Sequence, residues 1–293
     1  MKITTLLLAF ALVAPLGASA FDFGKLDLNK LKETSDKLKA ANEKLKPLKP
    51  MSETDEIDFG RDVAANVMGA APPVNDGALQ EYVNRVGMWL AMHSDRPGLP
   101  WRFAVLDTDD INAFSTPGGY VLITRGLLLQ CQDEAELAGV LAHEIGHVMA
   151  KHALNTMKKD ALAGLASDAL SDYAAKKGGE NYRKLVSAGT EVYVRGFDKQ
   201  DEYAADRLGV VIAARAGYDP YGLPAMLGTL ASIKPGSDAV ALLFKTHPDP
   251  QGRLELLTGK MEGRLDRYAD APKVGDRFRQ SVQGYLARAS RGK

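Results

Sequence analysis

Cysteine is almost missing from this chain of 293 residues. Cys131 is the only one, so no internal disulfide can form. It lies away from the histidines and fits a small buried hydrophobe better than a nucleophile. Net charge is missing too, since 37 Lys and Arg balance 37 Asp and Glu. That removes the electrostatic case for nucleic acid as a partner. Beyond the first 21 residues no apolar run is long enough to span a bilayer. Internal repeats and low-complexity tracts are also lacking. What remains is an ordinary globular composition, 45% apolar and 25% charged, with enough length for one domain and a sizeable core.

The N-terminus reads differently. Lys2 precedes an almost wholly apolar run over residues 3–16, and Ala18-Ser19-Ala20 has the small-x-small form of a cleavage site. Residues 1–20 are expected to be a secretory signal peptide, and the absence of a cysteine at the cut excludes a lipoprotein. A secreted chain without disulfides suits a bacterial periplasm. Residues 21–50 are Lys-rich, with Leu31, Leu38 and Leu45 repeating at seven and prolines at 47 and 50. This predicts a short helical arm and linker. It can be a solvated lead-in helix, a partner-binding arm, or a peripheral contact with an anionic membrane surface.

Residues 51–293 are expected to form the domain proper. Helical periodicity covers residues 54–69 and 77–94. Strands are predicted over residues 101–106, 111–115 and 120–124, with Thr116-Pro117-Gly118-Gly119 as a turn. The pattern is helical from there on, including an Ala-rich stretch over residues 161–175 that Asp168, Ser171 and Asp172 interrupt. The fold class is therefore α+β, mostly helical, with a small β-sheet next to one apolar helix.

That helix carries His143-Glu144-Ile145-Gly146-His147. Residues four apart share a helix face, so both imidazoles can reach one cation at about 2.0–2.1 Å. Glu144 then lies beside the open side of the metal, placed to take a proton from water. Asp133 as N-cap with Glu136 three residues on predicts a capping box at the helix start. A catalytic zinc takes three protein ligands. Glu202, on a later helix, is the candidate for the third. Asp206, one turn further, can accept the N–H of a ligating histidine and fix its tautomer. One zinc ion per chain suits this donor set best, although cobalt and manganese also accept it.

The remaining histidines are less specific. His93 is expected on the surface. His152, nine residues after His143, falls on the opposite helix face and is expected to be structural and hydrogen-bonded. His247, in Thr246-His247-Pro248-Asp249-Pro250, is a catalytic candidate with two opposed roles. It can donate to the oxyanion, or it can occupy the open metal position and hold the enzyme off. The strand with Asn112, Ala113 and Phe114 precedes the metal helix by one hairpin. If exposed at a sheet edge, it can pair with an extended substrate backbone; the alternative is an ordinary core strand.

Four ordered segments resemble the HtpX and CAAX-prenyl-protease family of gluzincin metallopeptidases, in its soluble periplasmic branch. They are Asn112-Ala113-Phe114 with residues 117–121, residues 134–152, residues 195–209 with Glu202, Ala205 and Asp206, and Thr246-His247-Pro248 with Arg253. The resemblance implies a zincin-like domain with ligands His143, His147 and Glu202, and Glu144 as general base. It implies a His247 loop that lies over the active site and gates it. Positive charge near the site, from zinc with His247 or Arg253, is expected to stabilise the oxyanion. It also implies a zinc-dependent endopeptidase acting on unfolded or outer-membrane polypeptides in envelope quality control. The chain departs from the family in lacking multiple transmembrane segments, which argues against prenylated substrates, and in lacking a long C-terminal repeat domain. A non-proteolytic chaperone or assembly factor on the same fold is the rival expectation.

Overall fold

The computed structural model describes residues 51–162, 180–234, 238–268 and 270–291. The proposed leader, the Lys-rich arm and most of the Ala-rich stretch lie outside these residues. Contacts divide the chain into Met1–Leu45 and Lys46–Lys293, and everything described here belongs to the second unit.

Helix α1, Glu53–Ala70, starts where Ser52 Oγ accepts from Asp55 N–H at 3.2 Å, with Glu53, Asp55 and Glu56 in its first turn. Acidic groups there favour the positive end of the helix dipole. Helix α2, Gly77–Met92, is capped by Asp76 and buries Leu79, Tyr82, Val83, Val86 and Leu90 at helical spacing. Three short strands follow: β1 Arg102–Leu106, β2 Ala113–Thr116 and β3 Tyr120–Thr124. Their order is β1-β3-β2, with β1 parallel and β2 antiparallel to β3. Phe103 pairs with Val121, and Phe114 pairs with Leu122. The β2–β3 turn uses Gly118 and Gly119, both at positive φ (76° and 99°), where a side chain would be strained.

Helix α3, Arg125–Leu128, leads into α4, Glu134–Met149, which is buried from Glu134 to Val148. A helix buried on every side lies in the centre of a core, and its polar groups there need partners. The capping box is shifted by one residue. Asp133 accepts from Glu136 N–H, but Glu136 reaches Gln132 N–H at 2.7 Å rather than the N-cap itself. Glu134, fully buried, accepts from Tyr82 Oη, Tyr218 Oη and Arg277 Nε at 2.7–2.9 Å. This ties the start of α4 to three other parts of the chain.

The remaining helices are α5 His152–Leu162, α6 Glu180–Arg195, α7 Lys199–Arg215, α8 Gly222–Ser232, α9 Asp238–Thr246, α10 Pro250–Met261 and α11 Gly275–Arg291. Of these, α5, α7, α8 and α11 pack on α4, α6 packs on α1, α5 and α9, and α10 packs on α7 and α8. Helices α4 and α7 approach closely because glycine faces backbone on both. A Cβ on Gly209 would lie 2.9 Å from His143 N, and one on Gly146 would lie 3.0 Å from Ala205 O. This contact brings the start of α7 across the end of α4. Among the described residues no helix is long and apolar enough to cross a membrane.

Candidate metal centre and active site

His143 and His147 project from one face of α4, with their Nε2 atoms 3.0 Å apart. Glu202 enters from the first turn of α7, which Asp198 caps by accepting from Gln200 and Asp201 N–H. Its two oxygens lie 3.6 Å from His143 Nε2 and 3.4 Å from His147 Nε2. His247 closes the group from the α9–α10 connection, and one ligand atom from each of the four residues lies within 4.8 Å of the others. At metal–nitrogen distances of about 2.0–2.1 Å, a tetrahedral ion separates its ligand atoms by about 3.3–3.4 Å. The observed spacings bracket that edge, so a donor set of imidazoles and one carboxylate fits a small divalent cation. Glu144 is buried in the same cluster, and its Oε2 has no hydrogen-bond partner. An orphaned carboxylate oxygen at such a place marks a site for water or a substrate group.

Charged groups back the donors. Asp206, one turn after Glu202, lies with Oδ1 3.0 Å from His143 Nδ1. Arg253 sits on α10, which starts at Asp249 in the left-handed region (φ 61°) with Pro250 in its first turn. The Arg253 guanidinium donates to Asp206 through Nε at 2.9 Å and Nη2 at 2.6 Å, and its Nη1 lies 2.8 Å from Glu202 Oε2. Burial pushes the Glu202 carboxyl up, but the charges of His247 and Arg253 outweigh it and leave Glu202 at about 2. The same competition, won by Arg253, holds Asp206 well below the usual carboxylate range. Burial and the surrounding positive groups hold His147 well below the usual imidazole range. A neutral ring keeps a lone pair to give to a metal.

His247 makes two contacts that link the donor cluster to β2. Its Nδ1 meets Glu202 at 3.1–3.2 Å, and its Nε2 lies 3.3 Å from the Ala113 carbonyl. Burial would lower its pKa, but Glu202 and Glu144 raise it to about 9. The strand with Asn112, Ala113 and Phe114 combines features of both readings, an edge position and a buried start. Strand β2 is at the sheet edge, but Asn112 and Ala113 are buried. Asn112 Oδ1 accepts from Ala113 N–H at 2.9 Å and from Thr246 Oγ1 at 3.3 Å. The edge is thus covered by the Thr246-His247 segment, while half-buried Phe114 packs into apolar clusters with Phe59 and Leu122.

His152 is hydrogen-bonded, but not on the far helix face. Helix α4 ends at Met149, and Lys151 takes a left-handed conformation (φ 55°). The chain therefore reverses, and α5 starts with His152 turned back onto the metal helix. Its Nδ1 lies 2.8 Å from His147 Nδ1. No periodicity signals such a reversal. Phe197 is a second residue that the sequence did not single out: its ring stacks on His147 at 4.6 Å between centroids. His93 caps α2, its Nδ1 2.8 Å from Trp89 O. Cys131 is buried, and burial pushes its thiol well up, which leaves no thiolate nucleophile.

A buried HExxH helix beside a small sheet, crossed by a helix bearing one acidic donor, defines a zincin-like metallopeptidase domain. Residues 77–261 match peptidase family M48. The chain belongs to that family, whose members are metal-dependent. It is similar to the beta-barrel assembly-enhancing protease of Escherichia coli strain K12, at 31% identity over 68% of this chain and 42% of the relative. The Yersinia pestis protein of that name is 29% identical over 86% of this chain and 51% of its own length. Mitochondrial metalloendopeptidase OMA1 of Arabidopsis thaliana is 30% identical over 67% of this chain and 38% of the relative. The chain thus spans about two-fifths to one-half of the length of these relatives.

Proposed function

We propose that this chain is a zinc-dependent endopeptidase with ligands His143, His147 and Glu202 and with Glu144 as general base. The observation that carries the reading is the partnerless, buried Oε2 of Glu144 beside the converging donors. A bound divalent ion would supply Lewis acidity to the scissile carbonyl and lower the pKa of water to about 7. Glu144 Oε2 accepts a proton as water oxygen bonds to the carbonyl carbon. It returns that proton to the amide nitrogen as the C–N bond breaks. Asp206 holds His143 in the tautomer that leaves Nε2 free. Arg253 balances the two buried carboxylates of α7.

The covered edge of β2 supports a gated site. An extended polypeptide pairing with Ala113 needs the carbonyl that His247 meets, so the Thr246-His247 segment must withdraw before substrate can lie down. His247 in this reading holds the site closed. Main-chain pairing would favour unfolded polypeptides, and misassembled envelope proteins are the substrates this reading assigns, in keeping with relatives named for beta-barrel assembly. We place the mature domain, residues 51–293, in the periplasm behind a cleaved leader at residues 1–20. The arm at residues 21–50 is then free for membrane or partner contact.

The test is cleavage of unfolded β-casein by wild type and Glu144→Gln, with metal measured on both. Cleavage by wild type alone, at one zinc per chain in each, is the expected result. A Glu144→Gln protein that cleaves normally rejects the assigned base. Full complementation of a gene deletion by that variant would favour the chaperone reading.

A further inference from the structure

We propose that His152 and Asp201 position His147 for metal binding, His152 by fixing its tautomer and Asp201 by fixing that of His152. This rests on the metallopeptidase reading above. The two histidines of the motif are held differently. His143 Nδ1 faces a carboxylate directly, that of Asp206. His147 Nδ1 faces another imidazole, His152 Nδ1, at 2.8 Å.

Only one proton can lie between those two nitrogens. If His152 supplied it, neutral His147 would carry its own proton on Nε2, the atom turned into the cluster, and could not ligate there. Ligation by His147 therefore requires His147 Nδ1 to donate and His152 Nδ1 to accept, which puts the His152 proton on Nε2. That nitrogen lies 3.6 Å from Asp201 Oδ1. His152 must then be a neutral ring with its one proton on the side of Asp201. A carboxylate beside Nε2 selects that tautomer. The first turn of α7 thus supplies a donor at Glu202 and the support for one motif histidine at Asp201. Asp206, one turn on, supports the other.

Zinc affinity by chelator competition on the full domain separates the outcomes, with the melting temperature of the metal-free proteins as a folding check. Losing support of this kind costs 10–100-fold in affinity, and His152→Leu is expected to show that loss. His152→Asn keeps an acceptor near the place of Nδ1 and is expected to retain most of the affinity, although it fills the space less well. Asp201→Asn can donate to His152 Nε2 and select the wrong tautomer, so it too should weaken zinc. A packing role predicts the reverse order, with the Asn variant at least as damaged as the Leu variant. That order, or wild-type affinity in His152→Leu, overturns the proposal. A wild type that binds no zinc overturns the metallopeptidase reading and this proposal together.

Discussion

Arg253 lies buried between two carboxylates of one helix face, donating twice to Asp206 and facing Glu202 at 2.8 Å. Removing one partner of a buried ion pair costs about 3–5 kcal/mol, because the remaining charge is left uncompensated. Arg253→Ala should therefore melt well below wild type in chelator. Zinc should narrow the gap, since the cation replaces the lost charge beside Glu202. An equal gap with and without zinc would mean that Arg253 serves packing alone. Glu56 gives a pH prediction away from the metal. It is buried and paired with Arg96 Nη1 at 2.6 Å and Lys151 Nζ at 2.8 Å. Burial raises its pKa, but those two partners outweigh burial and leave it below its ordinary 4.5. A group with a lowered folded pKa adds stability above its ordinary value and loses it as the pH falls through the folded one. Wild type should lose stability in urea as the pH drops below about 4.5, and Glu56→Gln should lose less. Parallel losses in the two proteins would remove Glu56 from the acid response.

At the scale of elements, the α4–α7 crossing decides where Glu202 lies. In an open helix, glycine to alanine is favourable by up to about 1 kcal/mol. At Gly209 the added methyl would meet His143 N at 2.9 Å, and overpacking of this kind costs about 1–3 kcal/mol. Gly69, on α1 with nothing within 4 Å, is the control. Gly69→Ala should raise the melting temperature, while Gly209→Ala should lower it and weaken zinc. If both stabilise, the helices can separate without harm and the close approach does not set the site. Helix α4 was readable from sequence because cap, apolar run and HExxH lie within a few turns. The shared face of Glu202 and Asp206 was readable from their spacing of four. The crossing was not, since it depends on glycines 63 positions apart meeting backbone on a partner helix. The position of His152 is not legible for a similar reason: the left-handed residue before it, Lys151, is a lysine, which carries no turn signal.

At the scale of the molecule, two distant connections meet over the site. Gly196, at positive φ, fits against the backbone of Lys245 and Thr246, and Phe197 N–H points to Thr246 O at 3.5 Å. Lys199 joins Asp249 at 2.9 Å across the same junction. Phe197 covers His147 from one side, and His247 covers the β2 edge and the donors from the other. In the gated reading proposed above, substrate reaches Glu144 beside β2 once the Thr246-His247 segment moves. Such closure makes the two sequence-level roles of His247 separable. As a plug, it competes with substrate, and His247→Ala should raise casein cleavage several-fold under conditions where opening limits turnover. As an oxyanion donor, it acts only after substrate has bound, and the same substitution should lower kcat by about 10²–10³, the usual effect of removing one such donor. Because the ring also touches Glu202, zinc content must be measured beside the rate. A rise in rate at unchanged zinc favours the plug; a fall in rate at unchanged zinc assigns His247 to the chemistry.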